Sequence, residues 1–144
     1  MTNEQKDVRL LMETMGQACP EKPTMPDLKT RILRVRLIAE ELLELCDAFG
    51  LELTILNGKI HVFGNDVAGE SDAIYKSADA TTDLKVMVIG TDVAMGIDGE
   101  PVWHEVQRAN MSKVKGGLDE FGKFRKGPDY VPPQIDRIIE AQRI

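Results

Sequence analysis

The sequence predicts an all-α protein, a bundle of four to five helices with a small hairpin inserted near residues 51–63. Three observations predict it. Apolar residues recur at helical spacing over long stretches, most clearly Leu33, Leu37, Ile38, Leu42 and Leu45, with no Gly or Pro among them. Aromatic residues make up only 5%, which suits a core built from Leu, Ile, Val and Met. The period shortens to two at one place only, on either side of Asn57-Gly58.

Taken in order, a first helix is expected from about Thr2 to Gln17, with Val8, Leu11, Met12 and Met15 as its stripe and Gly16 near its end. Three prolines between Cys19 and Pro26 make that stretch a linker. Asp27 can cap a second helix from about Leu28 to Ala48, which Gly50 ends. Leu51, Leu53 and Ile55 alternate, as do Ile60 and Val62, so the Asn-Gly pair between them signals a hairpin; the alternative is a loop or irregular helix end. A lone hairpin is unstable in water, so it must pack on the helices or on a partner chain. Asn65 to Glu70 reads as a turn.

A long third helix follows, from about Ser71 to Gly96. Val86-Met87-Val88-Ile89 can also be read as a strand, but the apolar pattern continues through Ala94-Met95. From Leu84 to Met95 it is apolar on most sides, as in a helix buried in a bundle or at a dimer interface. Asp98 can cap a fourth helix, with Pro101 early in it and Val102 to Val114 beyond. Gly116-Gly117 opens a tail, and a short helix is expected from about Pro133 to Gln142. The chain is expected to be a single domain over 1–144: helix and linker over 1–26, helical core over 27–114, tail over 115–144.

Composition narrows the function. A domain of 144 residues can bury roughly two-thirds of its unfolded surface, enough for a core without staples. The net charge of -6 argues against a nucleic-acid binder but not against nucleotides, because a metal can carry positive charge to a phosphate. Two histidines, His61 and His104, exclude a multi-histidine metal site. Cys19 and Cys46 form no zinc pattern and read as reduced thiols. There is no apolar run of the ~18–20 residues that a membrane span needs, and the polar N-terminus is not a signal peptide. A cytoplasmic protein is expected.

The chemistry lies in the acids. Glu41 and Glu44 are three apart in the second helix, and Glu40 and Glu44 four apart, so they neighbour one another. Asp79 and Asp83 are four apart in the third helix, with Glu70 and Asp72 further back. If the two helices pack antiparallel, the two sets meet, and so many carboxylates cannot all stay ionised and unpaired. A pair of Mg²⁺ ions would resolve that; the alternatives are pairing with Arg34 and Arg36, or solvated faces.

Three blocks in order carry a family resemblance: Leu37-Ile38-Ala39-Glu40-Glu41-Leu42-Leu43-Glu44-Leu45; Asp83 opening an apolar helix that ends at Gly96-Ile97-Asp98; and Val102 through Lys113, which includes Ala109-Asn110-Met111-Ser112-Lys113. With the tail from Gly122 to Pro133, this resembles the MazG-like nucleotide pyrophosphohydrolases, the all-α superfamily that includes phosphoribosyl-ATP pyrophosphohydrolase and dimeric dUTPases. The resemblance implies Mg²⁺-dependent conversion of a nucleoside triphosphate, a dNTP or dUTP, to the monophosphate and pyrophosphate, with Mn²⁺ as a substitute ion. It matches Glu40, Glu41 and Glu44 to the family's EExxE, and Asp83 to the Asp of its ExxD. The Glu of that second motif falls on Ala80, and Asp79 beside it is the replacement candidate. Glu40 is implied as ligand or base. Asn110 and Lys113, with Lys126 and Tyr130 from the tail, are the expected substrate-binding residues. Trp103 is read as packing, His104 as surface, and the methionines as adaptable core. The expected partners are the nucleotide and a homodimer or larger homo-oligomer, with no nucleic acid and no membrane. A catalytically weak or inactive nucleotide- or metal-binding member is the alternative, motivated by Ala80; a purely structural helical dimer is a third reading.

Overall fold

The structure, a computed structural model, describes residues 1–65 and 71–144. It contains five α-helices and one two-stranded antiparallel hairpin: α1 (Asn3–Thr14), α2 (Leu28–Ala48), β1 (Leu51–Leu56), β2 (Lys59–Gly64), α3 (Ala73–Ala94), α4 (Gly99–Met111) and α5 (Ile135–Arg143), with a 3₁₀ turn at Val114–Gly116. The all-α reading and the hairpin both hold. The strand alternative for residues 86–89 does not, since they lie inside α3. The turn expected over Asn65–Glu70, and with it Glu70, falls outside the described residues from position 66 onward.

The local signals act as expected. Thr2 and Asp27 cap α1 and α2 by accepting hydrogen bonds from the Gln5 and Thr30 amides. Asp98 caps α4, its Oδ1 accepting from the Glu100 amide. Asn57 and Gly58 both take positive φ, 51° and 72°, as a two-residue hairpin turn requires. Helix α3 ends in a Schellman turn, in which the Ile97 amide bonds the Asp92 carbonyl and Gly96 has positive φ.

Helices α2 and α3 form the central pair, and α1 packs on α3. The pair is antiparallel. Arg34, early in α2, donates to the Met87 carbonyl and Thr91 Oγ1, late in α3. Glu41, two turns further along α2, lies in the field of Asp79 and Asp83, earlier in α3. Gly90 permits this crossing, because a Cβ there would overlap the Arg34 guanidinium.

The core is smaller than expected. Val8, Met12, Val93 and Ala94 form its one buried cluster among the described residues. Of the methionines read as core, Met12 is buried but Met15 is exposed; Trp103, read as packing, is 62% exposed. The chain exposes 10531 Å² of surface. A compact monomer of 16.0 kDa would expose about 7,400 Å² by the usual size scaling. The physical reason is that most apolar stripes, on α2 and on the hairpin above all, face outward rather than toward another element of the same chain.

Candidate metal and nucleotide site

The acidic half of the site stands on the antiparallel pair. Two turns separate Arg34 from Glu41, so one face of α2 carries both the crossing contact and the carboxylate. On α3 the stripe Ser77, Ala80, Asp83, Met87 and Gly90 faces α2 at helical spacing, and its first, second and last members are buried. The Glu41 carboxyl is pushed above the ordinary carboxylate range. Partial burial is the largest cause, followed by the charges of Glu44, Asp83, Glu40 and Asp79. Acids from both helices therefore act on one another.

Each predicted ligand can be placed. Glu41 and Asp83 are half-buried at the helix pair, while Glu44 and Asp79 are more exposed beside them. Glu40 turns to Arg36, whose Nε lies 2.8 Å from its Oε1. Ala80 is 5% exposed, so the position where the motif has Glu is a closed apolar contact. Among the described residues no three Asp, Glu, His or Cys side chains stand close enough together to hold a metal ion as they are. Like-charged carboxylates repel, and Glu40 is engaged elsewhere. The donors themselves are hard carboxylate oxygens on two facing helices, and they fit Mg²⁺.

The four predicted substrate residues form a second cluster, at the end of α4. Lys113 Nζ donates to Asn110 Oδ1 at 2.8 Å. The Tyr130 ring lies between two ammonium groups, with Lys126 Nζ 5.0 Å and Lys113 Nζ 5.7 Å from its centroid. The tail is tied back to α4. Ser112 Oγ accepts from the Val131 amide, Arg108 donates to the Pro132 carbonyl, and Glu105 accepts from the Gln134 amide. Beside the cluster opens a cavity of about 560 Å³, with Asn110 and Lys113 at its polar side and Met111, Val114, Leu118 and Phe124 at its apolar side. Such a cavity can take a flat apolar group, with phosphate at its cationic rim. Another cavity of about 530 Å³ lies at the foot of the hairpin, and among the described residues its charged lining is Asp47 and Glu52, with no cation.

Asp98 is occupied structurally. It caps α4, and Gln142 bonds both its backbone amide and its carbonyl. His104 is exposed. Arg34 was missed as a site-shaping residue, and Gly90 inside an otherwise apolar helix was the signal for it. Asp92 was missed too; burial pushes its carboxyl up.

A family-model match places this helical chain among the nucleotide pyrophosphohydrolases of the all-α NTP pyrophosphatase, or MazG-like, superfamily. The chain belongs to the phosphoribosyl-ATP pyrophosphohydrolase family, whose model matches residues 8–110. The match covers most of α1, all of α2, the hairpin and α3, and α4 through Asn110; Lys113, Lys126 and Tyr130 lie beyond it. Members of this family are typically Mg²⁺-dependent. No curated protein matches the chain. Among the described residues no helix is long and apolar enough to cross a membrane.

Proposed function

We propose that the protein hydrolyses a nucleoside triphosphate, a dNTP with dUTP as one candidate, to the monophosphate and pyrophosphate. The support for this reading is electrostatic: the Glu41 carboxyl is raised from its ordinary value by burial first and then by the charges of Glu44, Asp83, Glu40 and Asp79, which come from both α2 and α3. Glu41, Glu44 and Asp83 would hold Mg²⁺, or Mn²⁺ in its place, with Asp79 as a further ligand one turn from Asp83. Bound there, the ion would offset triphosphate charge and lower the pKa of a water it carries.

The chain's own residues do the rest. Asn110 donates a hydrogen bond to the nucleotide, and Lys113 supplies a point charge to its phosphates. Lys126 adds a second charge, and Tyr130 a ring face. Glu40, released from Arg36, accepts a proton from the attacking water. The water oxygen bonds to a phosphorus of the α–β link, the bridging P–O bond breaks, and pyrophosphate leaves. The protein works as a homodimer or larger homo-oligomer, which its excess exposed surface supports.

Ala80 favours a second reading, a weak or inactive nucleotide- or metal-binding member, because a buried methyl stands where a carboxylate would complete the set. Pyrophosphate release from a panel of dNTPs, NTPs, dUTP and phosphoribosyl-ATP, with and without Mg²⁺, separates the readings. Mg²⁺-dependent release from at least one triphosphate supports the first. Binding of the panel with no turnover supports the second. Turnover of phosphoribosyl-ATP alone replaces the proposed substrate.

A further inference from the structure

Three side chains at the end of α4 fix one another's direction. Lys113 carries donors only, so the Asn110 carboxamide must turn its oxygen toward it, and Lys113 Nζ donates to Asn110 Oδ1 at 2.8 Å. That turn points the Asn110 nitrogen the other way, where Nδ2 donates to Gln107 Oε1 at 3.4 Å. The Gln107 oxygen is thereby engaged, and its Nε2 hydrogens are unspent among the described residues. A spacing of three keeps Gln107, Asn110 and Lys113 on one side of the chain, over about 9 Å of helix axis. All three line the cavity of about 560 Å³. Its polar edge therefore offers N–H groups: amide hydrogens at Gln107 and Asn110, an ammonium at Lys113.

The rest of the wall is apolar, and the tail puts it there. Gly116 and Gly127 pack backbone against backbone: a Cβ on Gly116 would overlap the Arg125 carbonyl, and one on Gly127 the Gly116 amide. Between them the chain turns back on itself. Leu118 and Phe124 bridge, and Asp119 Oδ1 accepts from the Phe121 and Lys123 amides at 2.9 and 2.8 Å. Leu118 and Phe124 thus enter the cavity wall, yet Phe124 is 72% exposed, so its ring meets little within the chain. An open aromatic face shares this cavity with a row of donors, and Lys113 and Lys126 gather about Tyr130 at one end of that row. The combination suits a nucleotide, with its base on Phe124 and its phosphates at the lysines.

We propose that the cavity holds the base of the substrate and selects bases with a carbonyl oxygen where adenine and cytosine carry an amino group: guanine through O6, uracil and thymine through O4. Gln107 Nε2 donates to that oxygen while the Phe124 ring stacks on the base. An amino group in the same place sets donor against donor. Gln107 is a specificity residue and takes no part in bond cleavage. The proposal rests on the nucleotide reading above and adds which bases the site takes.

The test is calorimetric binding, with Mg²⁺, of the α,β-methylene analogues of dUTP, dGTP, dCTP and dATP and of inorganic triphosphate. Wild type binds the dUTP and dGTP analogues at least about 10-fold tighter than the other two, as one hydrogen bond made or lost requires. Gln107→Glu replaces the unspent donor by an acceptor and reverses the ranking. A general loss of phosphate affinity through the new charge does not move that ratio between bases. Phe124→Ala weakens all four nucleotides toward inorganic triphosphate and leaves inorganic triphosphate unchanged. Both positions are exposed, and thermal melts check that the variants fold. A wild type that does not rank the carbonyl bases first, or a folded Gln107→Glu that keeps the wild-type ranking, overturns the base selection. A folded Phe124→Ala with wild-type affinities overturns the cavity as the base site. A wild type that binds none of the analogues overturns the nucleotide reading itself. Base ranking and pyrophosphate release are read separately, so either can fail alone.

Discussion

Arg34 occupies the space that a side chain at Gly90 would need. Its Cζ would lie 3.0 Å from a Cβ built at position 90, its Nη2 donates to the Met87 carbonyl at 2.6 Å, and the residue is 4% exposed. This contact sets the height at which α2 crosses α3, and two turns further along α2 Glu41 lies in the field of Asp83 and Asp79 on α3. Gly90→Ala should displace the guanidinium from that carbonyl. A charge-assisted hydrogen bond of this kind is worth about 1.5–3 kcal/mol. In a chain of this length that is a fall in Tm of roughly 3–12 °C. The acids also lose their register, so the KM for Mg²⁺ should rise with the loss of stability. A variant of unchanged Tm and unchanged Mg²⁺ dependence would remove Arg34 from this role.

Ala80 offers a gain-of-function experiment. It lies on the α3 stripe that faces α2 and is buried. Ala80→Glu places a further carboxylate among acids that already push Glu41 upward. Without divalent ions the variant should be less stable than wild type by about 1–3 kcal/mol, as expected for a buried charge lacking a partner. Mg²⁺ should restore most of that loss by binding the folded state alone. Thermal melts with EDTA and with Mg²⁺ measure both effects. Destabilisation that Mg²⁺ leaves untouched would place position 80 outside the metal site.

The tail carries its own pH dependence. Glu105 accepts from Arg108 and from the Gln134 amide, and those bonds hold its carboxyl down at about 2, below the ordinary 4.5. A folded value below the unfolded one gives stability that is complete above the unfolded pKa and is lost as pH falls through the folded one. The clamp between α4 and the start of α5 should therefore persist at pH 5 and loosen between 4.5 and about 2. The Gln134 amide proton resonance followed by NMR should titrate with a midpoint near the lower value. A midpoint near 4.5 would mean that the bond does not form in solution.

Much of this arrangement was legible from residue types alone. Asp27, Gly50 and Asn57-Gly58 punctuate the chain by backbone chemistry that acts within a few residues, and α2 and the hairpin fall where those signals put them. The EExxE and Asp83 blocks carried the family, which the match over residues 8–110 shows. The gathering of Asn110, Lys113, Lys126 and Tyr130 follows from the tail folding back on α4 through Ser112 and Glu105, long-range bonds that no periodicity announces. Arg34 was read as a possible counter-ion for the acids, whereas it spends its donors on α3. The choice depended on Gly90, more than fifty residues away, and spacing within one helix cannot reveal it. The exposure of Trp103 was equally hidden, because a helical stripe shows that a face is apolar and not whether another element covers it.

The central claim is that the α2–α3 carboxylates hold the ion that drives hydrolysis, and Glu41→Gln tests it most directly. Removing a charge whose pKa is raised relieves repulsion of a few tenths of a kcal/mol per pair, so the variant without divalent ions should melt at or about 1 °C above wild type at pH 7. The measurement is pyrophosphate release against Mg²⁺ concentration for wild type and Glu41→Gln, at saturating triphosphate and with melts in parallel. The account predicts a folded variant whose Mg²⁺-dependent release falls by about 100-fold or more, at least as much as losing a residue that merely supports a metal ligand. A folded Glu41→Gln protein with the wild-type rate and the wild-type Mg²⁺ dependence would contradict it.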